Sequence, residues 1–405
     1  MRNKVILLIA CSILMAFLAG CFDARELDDL GISLVIGVDL QDNRILVTAE
    51  VVDPSVSAQE NEVGSDGSVK YVQGTGGNIF EALRDITLKF DRRIYLSHNK
   101  VIIFGEDFAK KDVVLYMDEL FRDREQRETV YILIAKGSKA YEVMGINSGL
   151  EELPADYVHR LIKNIEFNPK TVDTNIAEYL KYYYNLGQHP VVGVVERRQR
   201  RDIDKSEQKT GTRETELSVL GSAIFKGDSL AGYLNGNDTK SYNFIIDNIQ
   251  VSPITFPSPL SYEETGKKLV QNEERLSSIS IIRNRTKNDV EIRGDRLILK
   301  TEVNIRGTLR EVIGDIDVSK EENLKKMEEA CSKTVEEGIK LAVEKVQKEY
   351  ELDIFGFGLV FHRKYPEQWE KIKENWDQIF ADADFQIDVK THIIRTGLIN
   401  KPLAR

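Results

Sequence analysis

The chain has 405 residues, 41% hydrophobic and 30% charged, with a formal net charge of −10. That length suits two or three domains rather than one, and the composition is that of a globular protein. The acidic balance disfavours nucleic acid as a partner, because replacing phosphate counterions needs a concentrated basic face.

The N-terminus reads MRNKVILLIACSILMAFLAGC. Arg2 and Lys4 precede an apolar run from Val5 of about 15 residues, short for a membrane span and right for the core of a signal peptide. The run ends at Leu18, Ala19, Gly20 and Cys21, and the chain then turns charged with FDARELDD. Ala19 and Gly20 are small enough for a peptidase site, and the LAGC ending is similar to the bacterial lipoprotein signal, in which the cysteine is lipidated and becomes the new N-terminus. Residues 1–20 are therefore expected to be removed and Cys21 to carry the lipid. Losing Arg2 and Lys4 takes the net charge from −10 to −12. Cys331 is then the one thiol besides Cys21, so no intramolecular disulfide is available. Its place on the apolar side of a helical pattern makes it a small core residue.

After a short tether, SLVIGVDL and NRILVTAEVV predict a hairpin turning around Gln41–Asn43. The polar segment 53–70 predicts a long surface loop. Ile79, Leu83, Ile86 and Phe90 recur at helical spacing, and the sharp entry at Gly76 and Gly77 predicts a helix starting at Asn78. KVIIFG and TVYILIAKG predict short buried strands. A helix is expected from Phe108 to Phe121, and two more in PADYVHRLIKN and NIAEYLKYYYN. Helices alternating with short strands indicate an N-terminal α/β domain over residues 21–195.

Residues 196–214 lack any apolar period and predict a linker. Their Arg197, Arg198, Arg200 and Arg201 could meet anionic headgroups or simply be solvated beside neighbouring acids. A hairpin at Gly227–Asp228 and a helix in TKSYNFIIDNI predict a small middle α/β domain, 215–275. A C-terminal α+β domain is expected over 276–400. In it Leu297, Leu299, Thr301, Val303, Ile305, Gly307 and Leu309 alternate with polar residues, predicting an antiparallel strand with one wet face. Ser319 and Glu322 predict a capping box opening a long helix from Lys320 to Tyr350, and PEQWEKIKENWDQIF and DFQIDVKTHIIRTG predict a last helix and strand. The sum is an α+β chain of three mixed α/β domains, with antiparallel-rich sheets and a long helix towards the C-terminus.

Chemistry-bearing motifs are sparse. The five histidines are scattered, with no HExxH pair and no GxSxG elbow. YVQGTGGNIFEALRD lacks the lysine and hydroxyl residue of a nucleotide loop, so its glycines read as a turn. No catalytic residue, metal ligand or cofactor is assigned. IFGFGLVFHRKYP predicts either a tight helix-to-strand connection with aromatic packing or an aromatic partner surface using Phe357, Trp369 and Trp376, and packing is the preferred reading.

The LAGC ending, CFDARELDDLGISLVIGVD, ELSVLGSAIFKGDSLAGYLNG and LDIFGFGLVFHRKYPEQWEKIKENWDQIFADADFQIDVKTHIIRTG, in this order, resemble the C subunits of the nutrient germinant receptors of endospore-forming bacteria. The resemblance spans nearly the whole chain. It implies a non-enzymatic lipoprotein of three α/β domains on the outer face of the spore's inner membrane. It also implies assembly with two integral membrane subunits, A and B, to trigger germination. The competing reading is a solute-binding lipoprotein of an uptake system, which two similar βαβ lobes would favour.

Overall fold

The computed structural model describes residues 29–52, 69–111, 113–122, 125–199, 215–259, 275–313 and 316–397. The expected signal peptide, Cys21 and the polar loop's residues 53–68 lie outside them.

A nine-stranded sheet organises the chain from Leu30 to Leu234. β1 (Leu30–Gln41) and β2 (Arg44–Val52) form the expected hairpin. Asp42 and Asn43 both have positive φ, 48° and 61°, the geometry that matches a two-residue turn to strand twist. β3 (Val69–Gly76) pairs antiparallel with β2. The helix α1 (Ile79–Ile86) follows, with Asn78 accepting from the Glu81 N–H as its N-cap. Gly74 is required by close approach, since a Cβ there would meet the Ala82 carbonyl at 2.1 Å.

β4 (Arg93–Tyr95) lies parallel to the start of β1, and β5 (Val101–Gly105) lies parallel to its middle. The helix expected over 108–121 is divided into α2 (Glu106–Ala109) and α3 (Val113–Arg122). β6 (Tyr131–Ala135), α4 (Pro154–Lys163), α5 (Ile176–Tyr184) and β7 (Val191–Gln199) complete the parallel run β1-β5-β6-β7. Both faces of the sheet's central strands are buried. Phe104, Phe108 and Tyr179 fill one side, and Leu133, Val158 and Ile162 the other. This is why β5 and β6 read as unbroken apolar runs.

The linker expected over 196–214 overlaps the sheet at its start. Glu196–Gln199 are strand residues of β7, and they pair antiparallel with β8 (Thr215–Lys226). β9 (Ser229–Leu234) then closes the edge of the same sheet. Backbone ladders thus join the N-terminal and middle regions, and 200–214 lies outside the described residues.

α6 (Gly236–Ile245), capped by Asn235, leads into a four-stranded sheet ordered β10-β11-β12-β13. These are Pro253–Pro257, Leu276–Arg293, Arg296–Val312 and Asp384–Arg395. The alternation along β12 holds, with Leu299, Thr301, Val303, Ile305, Gly307 and Leu309 buried. Its pairing is mixed, antiparallel with β11 and parallel with β13, because a helical crossover brings the chain back to the same end of the sheet.

That crossover begins with α7 (Glu321–Lys345), which packs on β13 through Met327, Cys331 and Val335. The expected capping box does not form. Lys320 is the N-cap without a side-chain bond, because the Ser319 hydroxyl is held by Asp317. The expected last turn widens into a π turn, Val346–Tyr350, and Glu351 leaves it in the left-handed region at φ 54°. After it, the glycine-aromatic stretch opens a helix rather than a strand. α8 (Phe357–Lys364), α9 (Pro366–Ile372) and α10 (Trp376–Ala381) pack in succession beneath the sheet.

Candidate functional site

The three sequence-designated aromatics meet in one cluster, but in the interior. Phe357 has no exposed surface, and Trp369 and Trp376 have 2% each. Their ring centroids lie 5.3 Å apart, edge to face, with Phe361 5.4 Å from Trp376. The partner-surface reading of these residues is therefore corrected: they are core, as aromatic pairs of this geometry usually are.

Beneath them lies Asp353, fully buried, which the sequence reading missed. One carboxylate oxygen accepts the Phe355 and Gly356 N–H groups at 3.0 and 2.9 Å. The other accepts the Gly358 N–H at 2.7 Å and the Trp376 indole N–H at 2.9 Å. An ionised carboxylate offers about four lone-pair sites, and all four are taken. Burial pushes the carboxyl up to about 6 against the pull of these donors. With no acceptor left over, Asp353 is a structural anchor for the N-terminus of α8 rather than a base.

The anchored loop meets the segment between α5 and β7. His189 donates its backbone N–H to the Asp353 carbonyl at 2.8 Å. The His189 ring faces Asp377 at 3.0 Å, and Gly227 donates to its other nitrogen at 3.4 Å. Gly187, at φ 87°, touches Gly358 backbone to backbone, so a Cβ on Gly358 would lie 2.5 Å from the Gly187 Cα. The Tyr350 hydroxyl donates to the Tyr233 carbonyl at 2.9 Å and accepts the Tyr233 N–H. In the same region Lys345 pairs with Asp238 at 2.9 Å, and Asn243 donates to the Pro169 and Thr171 carbonyls. The two sheets are thereby locked across one junction.

Two further buried acids follow the same rule. Asp39 accepts from the Ala140 and Tyr141 N–H groups at the start of a 3₁₀ turn, and burial pushes it up to about 6. Glu50 accepts from the Ala155 N–H of α4 and from the Tyr71 hydroxyl, and burial pushes it up to about 7. Each acid sits where a helix start presents unpaired N–H groups and a favourable dipole.

Among the described residues no group of His, Cys, Asp and Glu is arranged to hold a metal, and no helix is long and apolar enough to cross a membrane. Cys331 is fully buried, and desolvation pushes its thiol up to about 12. Arg197 and Arg198 are exposed near the C-terminal end of β7. Because β7 runs parallel to β1, they lie at the opposite end of the sheet from Leu30, where the chain enters the fold.

Comparison with known proteins defines the class. Residues 23–197 match the family described as Spore germination protein N-terminal domain, and residues 220–397 match Spore germination B3/GerAC like, C-terminal. The chain belongs to this spore germination protein family. Spore germination protein KC of Bacillus subtilis (strain 168) is 28% identical, covering 100% of this chain and 98% of its own length. Spore germination protein B3 of the same organism is 24% identical over 95% of this chain and 96% of its own. A crystal structure of the GerBC protein shares the fold, with a TM-score of 0.55 and 21% identity over 89% of this chain and 96% of that one.

Proposed function

We propose that this chain is the lipid-anchored, non-enzymatic C subunit of a nutrient germinant receptor. In this reading it is held by Cys21 on the outer face of the spore's inner membrane and joins two integral membrane subunits, A and B, to trigger germination. The observation that carries the reading is the pair of family matches, residues 23–197 and 220–397, that follow in order directly behind a lipoprotein-type LAGC ending. The buried acids support a scaffold, since the oxygens of Asp353 are spent on internal donors. The competing solute-binding reading calls for two similar lobes, whereas the sheets here have nine and four strands.

Tethering makes a weak protein contact effectively intramolecular, so the body needs only modest affinity for its partners. The anchor is tested by feeding labelled fatty acid to cells making the wild type or Cys21→Ala. Label on the wild type alone is expected, and equal label on both would sink the anchor.

A further inference from the structure

If Cys21 carries the lipid, as the preceding reading holds, the membrane lies close to one particular end of the fold. Seven residues lie between Cys21 and Asp29, where the described chain begins, and the eight steps from one to the other span at most about 28 Å. Asp29 leads into β1, whose first residues pair with β4, Leu30 beside Arg93 and Gly31 beside Ile94. The Phe90 ring packs against Gly31, where a Cβ would stand 2.8 Å from it. The loop from Thr87 to Arg92 therefore borders the point where the tether enters.

That loop has an unusual composition for an acidic protein. Leu88 is 81% exposed at its tip. Four cations, Arg84, Lys89, Arg92 and Arg93, stand between residues 84 and 93 against two acids, Asp85 and Asp91, in a chain of net charge −10. Lys89 is exposed while paired with Asp85 at 3.1 Å, Arg93 is paired with Glu125, and Arg92 is half-buried. An exposed apolar side chain in a segment with a net excess of cations suits the boundary between anionic headgroups and acyl chains, where each part finds its own solvent. The rest of an acidic surface would be repelled there.

We propose that the loop from Thr87 to Arg92 is a second membrane contact, with Leu88 entering an anionic bilayer and Lys89 and Arg92 meeting lipid phosphates. Lipid and loop together then set the orientation, with the N-terminal end of β1 facing the bilayer and Arg197 and Arg198 facing away. Neither contact needs to be strong when the other holds the chain nearby.

The test uses the mature chain, residues 21–405, coupled through the Cys21 thiol to maleimide lipid in vesicles of phosphatidylcholine and phosphatidylglycerol. Cys331 is buried and does not compete. The variant Leu88→Trp reports contact through quenching by brominated acyl chains, over a constant background from the buried Trp369 and Trp376. Quenching of the added indole is expected. It should be absent for Tyr141→Trp, whose backbone is bound to Asp39 towards the far end of β1. Replacing Lys89 or Arg92 with alanine should weaken the contact about fivefold each, the equivalent of about 1 kcal/mol per cation. Complete coupling without quenching at position 88 would overturn the proposal. If in addition Leu88→Asp stripped polytopic proteins from the chain isolated from spores, the loop would be a protein-docking surface instead. Chemical coupling replaces cellular acylation, so a chain never acylated in spores would leave the quenching intact, and the two failures are read separately.

Discussion

Asp353 gathers four donors onto one carboxylate, so Asp353→Ala leaves three backbone N–H groups and an indole N–H without an acceptor inside the core. A buried donor left unpaired costs about 1–3 kcal/mol. The substitution should therefore lower the unfolding free energy by at least about 3 kcal/mol in a urea titration, with Asp353→Asn falling between it and the wild type. An unchanged midpoint would mean that something else holds the loop. Nothing in the sequence distinguishes Asp353 from the other acids of a chain with 66 acidic residues. Asp39 and Glu50 were hidden in the same way, within GVDL and TAEVV, because polarity alone places a carboxylate in water. The signal available was a single acid inside an otherwise apolar run. What it lacked was the partner, which for Asp39 and Glu50 lies about a hundred residues away in the chain. Cys331 was legible because a thiol on the apolar side of a helix needs no partner to be core.

Periodicity places elements well and their neighbours poorly. The β1–β2 turn, the entry to α1 at Asn78 and the wet and dry faces of β12 follow from residues within a few positions of each other. The parallel pairing of β12 with β13 does not, since it depends on where the intervening helices return the chain. The failed capping box at Ser319 is a local competition that Asp317 wins. Gly358 shows how packing overrides helix propensity. Alanine is favoured over glycine inside a helix by about 1 kcal/mol, yet a Cβ at 358 would press on the Gly187 backbone at 2.5 Å. Gly358→Ala should accordingly destabilise the protein, by about 2 kcal/mol, because overpacking against backbone has no side chain to yield. Thermal unfolding checks the sign, and a raised Tm would show that the α5–β7 segment can move away from α8.

Across the whole molecule, the segment expected to separate domains instead joins two strands of one sheet. Proteolysis within 200–214 should give two fragments that stay together through the β7–β8 ladder and the junction at Asp353, eluting as one species on native gel filtration. Fragments that part without denaturant would restore the independent domains. The junction at Asp353 also joins the four-stranded sheet to the nine-stranded one, so the two are held as one folded body. The central claim is that this body assembles with polytopic membrane subunits, and affinity isolation from detergent-solubilised spore membranes tests it most directly. The account predicts that two integral membrane proteins copurify with the wild type, and that recovery falls sharply when Cys21→Ala removes the tether. Recovery of the wild type alone under conditions that preserve membrane complexes would contradict it.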